Sequence, residues 1–229
     1  MAGPEDEGPE LAEVPPPLGY NPSSWNQRVR VAVIAVAGVL GSVYLALFQW
    51  GLIDGVWDPL FGRQSEQVLL SDVSHRMTRL MGIPDAALGA LAYLGDILFA
   101  LAGSTRRWQY RPWLVIVFGI DVIPLGIVSV ILVVLQGTVV GYWCTICLVT
   151  AVVSIVLILL AYDEVWSCLL YLRAAWRRTE SPKAFWWLFW GRPSEAAHQA
   201  AEDFLRSARA ERRAQRRRDA PRASSRSDA

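Results

Sequence analysis

Cys144 and Cys147 stand in the stretch GYWCTICLVT, separated by two residues, at the entrance to the most apolar tract of the chain. Two thiols at this spacing on a helix share a face and can close a disulfide across one turn. At a helix N-terminus, the free backbone amides and the helix dipole favour the thiolate, the form that attacks disulfides. Zinc would need four ligands, and only Cys168, His75 and His198 could add to the pair. Those three are too scattered along the chain to converge on it, so a structural zinc site is not expected. Leu148 rather than His follows Cys147, which excludes a c-type haem attachment motif. Two readings stand for the pair: a redox couple, or two small buried hydrophobes.

Three acids lie in otherwise apolar surroundings. Asp85 follows Gly82-Ile83-Pro84, where a carboxylate can satisfy the free amides of a starting helix or, if neutralised by burial, donate to a bound oxygen. Asp96 and Asp121 are intramembrane acids, costly in a bilayer and therefore functional candidates by default. Helical rise puts Asp96 about 18 Å below the start of its segment and Asp121 about 14 Å above the start of its own. Both then lie near mid-depth, where one shared proton would relieve the charge. They serve either as a proton route or as interhelical hydrogen-bond glue, a role also open to Ser42, Tyr44 and Ser129.

These groups need elements to hold them, and the composition says which. Of 229 residues, 53% are hydrophobic, with a mean hydropathy of +0.29. Four long apolar runs stand out: Val31 to Trp50, Pro84 to Gly103, Pro112 to Gln136 and Thr138 to Tyr162. Each can cross a hydrocarbon core of about 30 Å as a helix. The first has some 30 polar or Pro-rich residues before it and no small-residue cleavage site, unlike a signal peptide. The expected fold is an all-α integral membrane protein, a four-transmembrane-helix bundle. An amphipathic helix over Ser65 to Leu80 would lie on its outer face. A basic helix and tail would end it on the cytoplasmic side. Pro124 should kink the third span.

The expected division is a disordered cytoplasmic tail over 1–28, the four-span unit over 29–163, an interfacial amphipathic and aromatic segment over 164–193, and a basic helix and tail over 194–229. Arginines gather at Arg106, Arg107 and Arg111 and beyond Tyr162. The positive-inside rule then places both termini in the cytoplasm of a cell with this protein in its inner (plasma) membrane, and the 51–83 loop outside. Anionic lipid is the expected partner of the basic segment, with AFWWLFWG as an anchor in the headgroup zone. Nucleic acid is not expected so close to a membrane.

The four-span layout, the Gly82-Ile83-Pro84 start of span two and the Trp143-Cys144-x-x-Cys147-Leu148 entrance to span four together resemble the vitamin K epoxide reductase family, over about Val31 to Tyr162. The block VLLSDVSHRMTRLMGIPDAALGALAYLGD carries the likeness, with Gly82, Ile83, Pro84, Gly89 and Tyr93 matching. The resemblance implies a quinone-linked thiol oxidoreductase whose helices surround a quinone, ubiquinone or menaquinone, near the outer cysteines. It makes Cys147 the quinone-facing thiol and Cys144 the exchanging one, and Asp85, Gly89, Tyr93 and Trp143 candidates for quinone binding. Trp143 has a second reading as an interfacial anchor. The family's loop cysteine pair falls on Trp57 and Ser65, an Asn that contacts the quinone is Asp85, and a quinone-contacting Tyr is Ala151. Without loop cysteines, a thioredoxin-like periplasmic or extracytoplasmic protein is expected to engage Cys144 directly.

Two functions from different classes follow. The first is a membrane thiol–disulfide oxidoreductase passing electrons between that partner and a membrane quinone. The second is a redox-silent membrane scaffold or assembly factor on the same fold. A transporter is a third reading that two acidic spans permit, but no internal repeat supports it.

Overall fold

The computed structural model describes residues 20–178 and 181–192, together with isolated positions before and after them. The basic tail expected over 194–229 lies mostly outside the described residues, as does most of the N-terminal segment. Among the described residues all regular secondary structure is helical, without strands.

Four helices form the bundle. Helix α1 covers Trp25–Gln49, α4 Asp85–Leu101, α6 Pro112–Leu135 and α7 Thr145–Arg178. Between α1 and α4 run two short helices, α2 (Gln64–Leu69) and α3 (Asp72–Met81). Helix α5 (Arg107–Tyr110) fills the turn between α4 and α6, and α8 (Pro182–Phe189) follows α7. Helix α1 packs on α4 and α7, and α6 closes the ring by packing on the same two. Helices α1, α6 and α7 are long and apolar enough to span a membrane. The 17 residues of α4 reach about 26 Å, and α3 and α4 taken together, bent by 58° at the Gly82–Pro84 junction, are the candidate for a fourth span. Leu40, Leu98, Ile120 and Leu159 are each about two-thirds exposed on the flanks, as lipid-facing side chains of a membrane bundle are.

Small residues set the close approaches. A methyl group at Gly38 would lie 2.7 Å from the Tyr93 ring, so α1 and α4 meet at this distance only because position 38 has no side chain. Val31, Ala35, Tyr93, Phe118, Leu157 and Ala161 form the central core from all four helices. Tyr93 Oη lies 2.7 Å from both the Thr150 carbonyl and Ser154 Oγ, tying α4 to α7.

Two boundaries differ from the sequence expectation. The single amphipathic helix over Ser65 to Leu80 is broken at Leu70–Ser71. There the Ser71 hydroxyl accepts from the Ser74 N–H at 3.4 Å and starts a new helix. The fourth span begins at Thr145, not Thr138, because Gln136–Val140 continues α6 as a π-helical turn that stops at Gly141, in the left-handed region with φ +74°. Helix α7 then runs unbroken past Tyr162 to Arg178. Pro124 lies inside α6, which is continuous through it.

Candidate functional site

Cys144 is the residue just before α7, and its position there has a chemical consequence. Its carbonyl accepts the Leu148 N–H at 3.0 Å, and its Sγ accepts the Cys147 N–H at 3.2 Å. The sulfur therefore occupies the place that a Ser or Asp oxygen fills when capping a helix. The cap satisfies a free amide and puts the sulfur at the positive end of the helix dipole. The Cys147 thiol hydrogen-bonds to Cys144, which is the largest influence holding Cys144 below the ordinary thiol range. Burial opposes it, the Ser65 hydroxyl and Cys147 N–H reinforce it, and the Asp58 charge opposes it. All three cysteines are free thiols.

Cys144 has no solvent exposure. It packs with Leu45, Val56, Val68 and Leu69, so the 51–71 segment folds over it as a cover. Asp58 ties this cover down. Its Oδ1 accepts from the Leu60 and Phe61 N–H groups, both at 2.9 Å, and from Thr145 Oγ1 at 2.5 Å. Its Oδ2 accepts from the Thr145 N–H at 2.8 Å and from Ser65 Oγ. Burial pushes the Asp58 carboxyl up, but these donors outweigh it and hold the group well below the usual carboxylate range. From the sequence, Asp58 reads only as part of an Asp-Pro turn; its bond to Thr145, 87 residues on, has no local signature.

Cys147 faces the other way. It lines a cavity with about 1090 Å³ of non-atom space, counting its open side, bounded by α1, α2, α3, α4, α6 and α7. The walls are mostly apolar, with Leu45, Met77, Leu125 and Leu157 among them. Polar groups cluster near Cys147. Gln136 is buried there, its Oε1 accepting the Cys144 N–H at 3.3 Å. Asp85 Oδ1 accepts from Gln49 Nε2 at 2.5 Å, Ser74 Oγ at 3.1 Å and the Ala86 N–H at 3.0 Å. That carboxylate thus satisfies a free amide in the first turn of α4 and anchors α1 and α3 while also lining the cavity.

Gly89 and Tyr93 line the cavity too, although the Tyr93 hydroxyl is already engaged with α7. Trp143 is outside it: its ring stacks on Phe61, centroids 6.4 Å apart, and covers Gly137. Trp57 is three-quarters exposed, and its N–H donates to Tyr44 Oη at 2.8 Å, whereas Ser65 is fully buried beside Cys144. Ala151 is buried away from the cavity lining. Asp96 reaches the far part of the cavity, 4% exposed, with Oδ1 unpartnered. Asp121 packs on Gly95 within electrostatic reach of Asp96, and no hydrogen bond joins the two acids.

The sequence model of the vitamin K epoxide reductase family matches residues 29–162. The chain belongs to the vitamin K epoxide reductase family. The matched stretch holds most of α1, all of α4 and α6, the first half of α7, the C-x-x-C and the whole cavity. Among curated proteins, none matches the chain significantly. Membership in the vitamin K epoxide reductase family implies membrane thiol oxidoreductase chemistry with quinones as the family's electron partners. The cavity fits such a group in character, having long apolar walls and a thiol with polar neighbours at one end.

The opposite end of the bundle holds a cluster that sequence reading missed. Arg107 is buried and pairs with Glu164 in two parallel bonds, Nε to Oε1 at 2.5 Å and Nη2 to Oε2 at 2.7 Å. Ser23 Oγ also donates to Glu164 Oε1, at 2.5 Å. Arg28 and Arg107 together cover the exposed carbonyls ending α4: Nε of Arg28 donates to the Ala100 carbonyl at 2.6 Å, and Nη1 of Arg107 donates to that of Ala102 at 3.0 Å. Cys168 is buried at this end, its thiol 3.7 Å from the Trp108 and Pro112 carbonyls. One sequence signal pointed there: Glu164 interrupts an otherwise apolar helix face.

Proposed function

We propose that this protein is a membrane thiol–disulfide oxidoreductase that passes electrons between a thioredoxin-like partner and a membrane quinone through Cys144 and Cys147. The reading rests on one observation. The Cys147 N–H donates to Cys144 Sγ, and of the two thiols only Cys147 lines the apolar cavity, Cys144 lying at the helix cap under the loop. In the oxidised enzyme, a partner thiolate attacks Cys144 Sγ, the Cys144–Cys147 bond breaks, and Cys147 leaves as a thiolate. The partner's second thiolate then attacks the mixed disulfide and departs oxidised, releasing Cys144 as a thiolate. The quinone supplies a two-electron, two-proton acceptor. Cys147 and Cys144 give up two electrons and re-form their bond, and the helix end and Cys147 N–H hold charge on Cys144 meanwhile. Asp85 and Gln136 offer polar contacts beside Cys147, and the apolar walls exclude water.

Trp57 and Ser65 stand where the family's relay cysteines would be, so the partner engages Cys144 directly and the 51–71 cover must move to admit it. The arginine distribution supports an orientation with the termini cytoplasmic in the plasma membrane and Cys144 toward the opposite side. The basic C-terminal segment then meets anionic lipid. A membrane-impermeant label should reach a Cys introduced at Arg63 and not one at Arg213; the reverse pattern would overturn this orientation.

The complete burial of Cys144 favours a second reading, the redox-silent scaffold. Single mutants separate the two. Cys147→Ser keeps the exchanging thiol without its resolving partner and should accumulate a mixed disulfide. Cys144→Ser should trap little, and both should lose quinone-dependent thiol oxidation. Full function in the double Ser variant leaves only the scaffold.

A further inference from the structure

A ring oxygen of a quinone accepts hydrogen bonds and has none to give, so a polar cavity end that binds one needs a donor. Most side-chain donors near Cys147 are already spent. Ser71 Oγ donates to the Val68 carbonyl at 2.6 Å, Ser74 Oγ to Asp85 Oδ1 at 3.1 Å and Thr150 Oγ1 to the Cys147 carbonyl at 3.0 Å. The Tyr93 hydroxyl is engaged with α7. Asp85 stands where the family has an Asn that contacts the quinone. Its Oδ1 accepts three hydrogen bonds, and a carboxylate has none to give. Ser42, Ser129 and Ser154 line the cavity as well, but deeper. They stand seven residues, about 10 Å of helix, beyond Gln49, Gln136 and Cys147 respectively.

Gln136 is the exception. It is 5% exposed, lines the cavity and opens the π-helical turn that follows α6. Its Oε1 accepts the Cys144 N–H at 3.3 Å. An amide oxygen turned to an N–H leaves the amide nitrogen turned away from it, so Nε2 and its two N–H groups are left for the Cys147 side. The neighbour there is the Cys147 sulfur, a weak acceptor. Among the described residues no oxygen accepts from Nε2. We propose that Gln136 is the hydrogen-bond donor to a ring oxygen of the bound quinone, the task that Asp85 cannot perform, and that it thereby favours the oxidised ring over the reduced one. The Cys144 N–H is the positioning group, holding the amide in the orientation that presents Nε2. In the quinol the same oxygen is a hydroxyl, a poorer acceptor than a carbonyl, so the hold loosens once the ring is reduced. Nothing in this role transfers an electron or a proton.

The proposal deepens the reading of the cavity as a quinone site and rests on it, but its test needs no turnover. Decylubiquinone and decylubiquinol are each titrated by calorimetry into the full-length protein in detergent, in a Cys144→Ala/Cys147→Ala background that cannot exchange electrons. Gln136→Met keeps the length and removes the donors. It should weaken decylubiquinone binding about tenfold and decylubiquinol binding distinctly less. Gln136→Glu keeps the size and an oxygen for the N–H of residue 144, but its carboxyl donates only while protonated. Its affinity for decylubiquinone should therefore fall as pH rises, more steeply than that of the background protein. With both cysteines replaced, Asp85 is the titratable group left at this end of the cavity, and it is common to both proteins. Equal losses of quinone and quinol in Gln136→Met, or a Gln136→Glu affinity that follows the background across pH, would overturn the proposal and leave the cavity a quinone site. Decylubiquinone that fails to bind the background protein would overturn both. The stated affinities in a protein whose native membranes show no quinone-dependent thiol oxidation would sink the oxidoreductase reading and leave the donor role standing.

Discussion

The two ends of the bundle are each organised around a buried carboxylate, and they solve the same problem differently. At one end Glu164 meets a guanidinium in two parallel bonds, with Ser23 completing its shell. Charge is cancelled where it stands, and the geometry of a planar fork permits little rearrangement. At the other end Asp58 has hydroxyls and backbone N–H groups as its hydrogen-bond donors, with no cation among them. Its charge is spread over several weak donors, one of which lies beside a thiol. Cancelling a charge makes a clamp; spreading it over several neutral donors makes a tether, each strand of which holds only part of the load. The cysteines follow suit, Cys168 walled in beside the clamp and Cys144 placed under the cover.

The strongest way to break this contrast is to exchange the roles of the cysteines. Cys144→Ser should abolish quinone-dependent thiol oxidation in membranes, whereas Cys168→Ser should leave it at the wild-type rate. Activity that depends on Cys168 would move the chemistry to the wrong end. Next in size comes stability. Glu164→Ala leaves the Arg107 guanidinium buried without its carboxylate and should cost about 3–5 kcal/mol in denaturant unfolding. Asp58→Ala releases neutral donors close to the chain's polar loop and should cost about 1–2 kcal/mol. Equal costs would erase the distinction between clamp and tether.

A smaller effect is expected from pH. Because Asp58 in the folded protein lies below its unfolded value of about 3.9, its contribution is complete above that value and is lost as pH falls through the folded one. Limited proteolysis by an acid-active protease should therefore find the 51–71 cover intact at pH 5 and increasingly cut only as pH drops below about 4. Asp58→Asn should make cutting of this segment independent of pH over that range. The smallest effect concerns the tail: removing residues 206–229 should leave insertion and thiol oxidation unchanged, since no residue of either end lies there.

Much of this was legible in the sequence. Four apolar runs are enough to specify four helices, because a span in lipid has no other way to satisfy its backbone. The C-x-x-C announced itself by spacing, and of the four candidates for quinone binding Asp85, Gly89 and Tyr93 line the cavity while Trp143 does not. What escaped was long-range. Arg107 read as one of several interfacial arginines because nothing local reveals a partner 57 residues away. Asp58 looked like a turn former for the same reason. The start of α7 was misplaced by seven residues because Thr138 to Val140 are as apolar as a span, and only Gly141 and the Asp58 bond to Thr145 fix where the new helix begins. The break at Ser71 had a readable sign, a serine three residues ahead of the amide it caps.

Helix α7 joins the two ends without interruption, and this makes it a ruler. Its 34 residues measure about 51 Å, well beyond a hydrocarbon core of about 30 Å. Glu164 stands 19 residues after Thr145, about 29 Å along the axis. The clamp and the capped thiol are thus one membrane thickness apart on a single rod. Whatever fixes the depth of Glu164 also fixes the depth of Cys144. In a thinner bilayer the rod cannot shorten, so the sulfur and its cover would ride higher above the hydrocarbon, or the whole bundle would tilt. Bilayer thickness thereby becomes a control on how much water and how much lipid the cysteine pair meets.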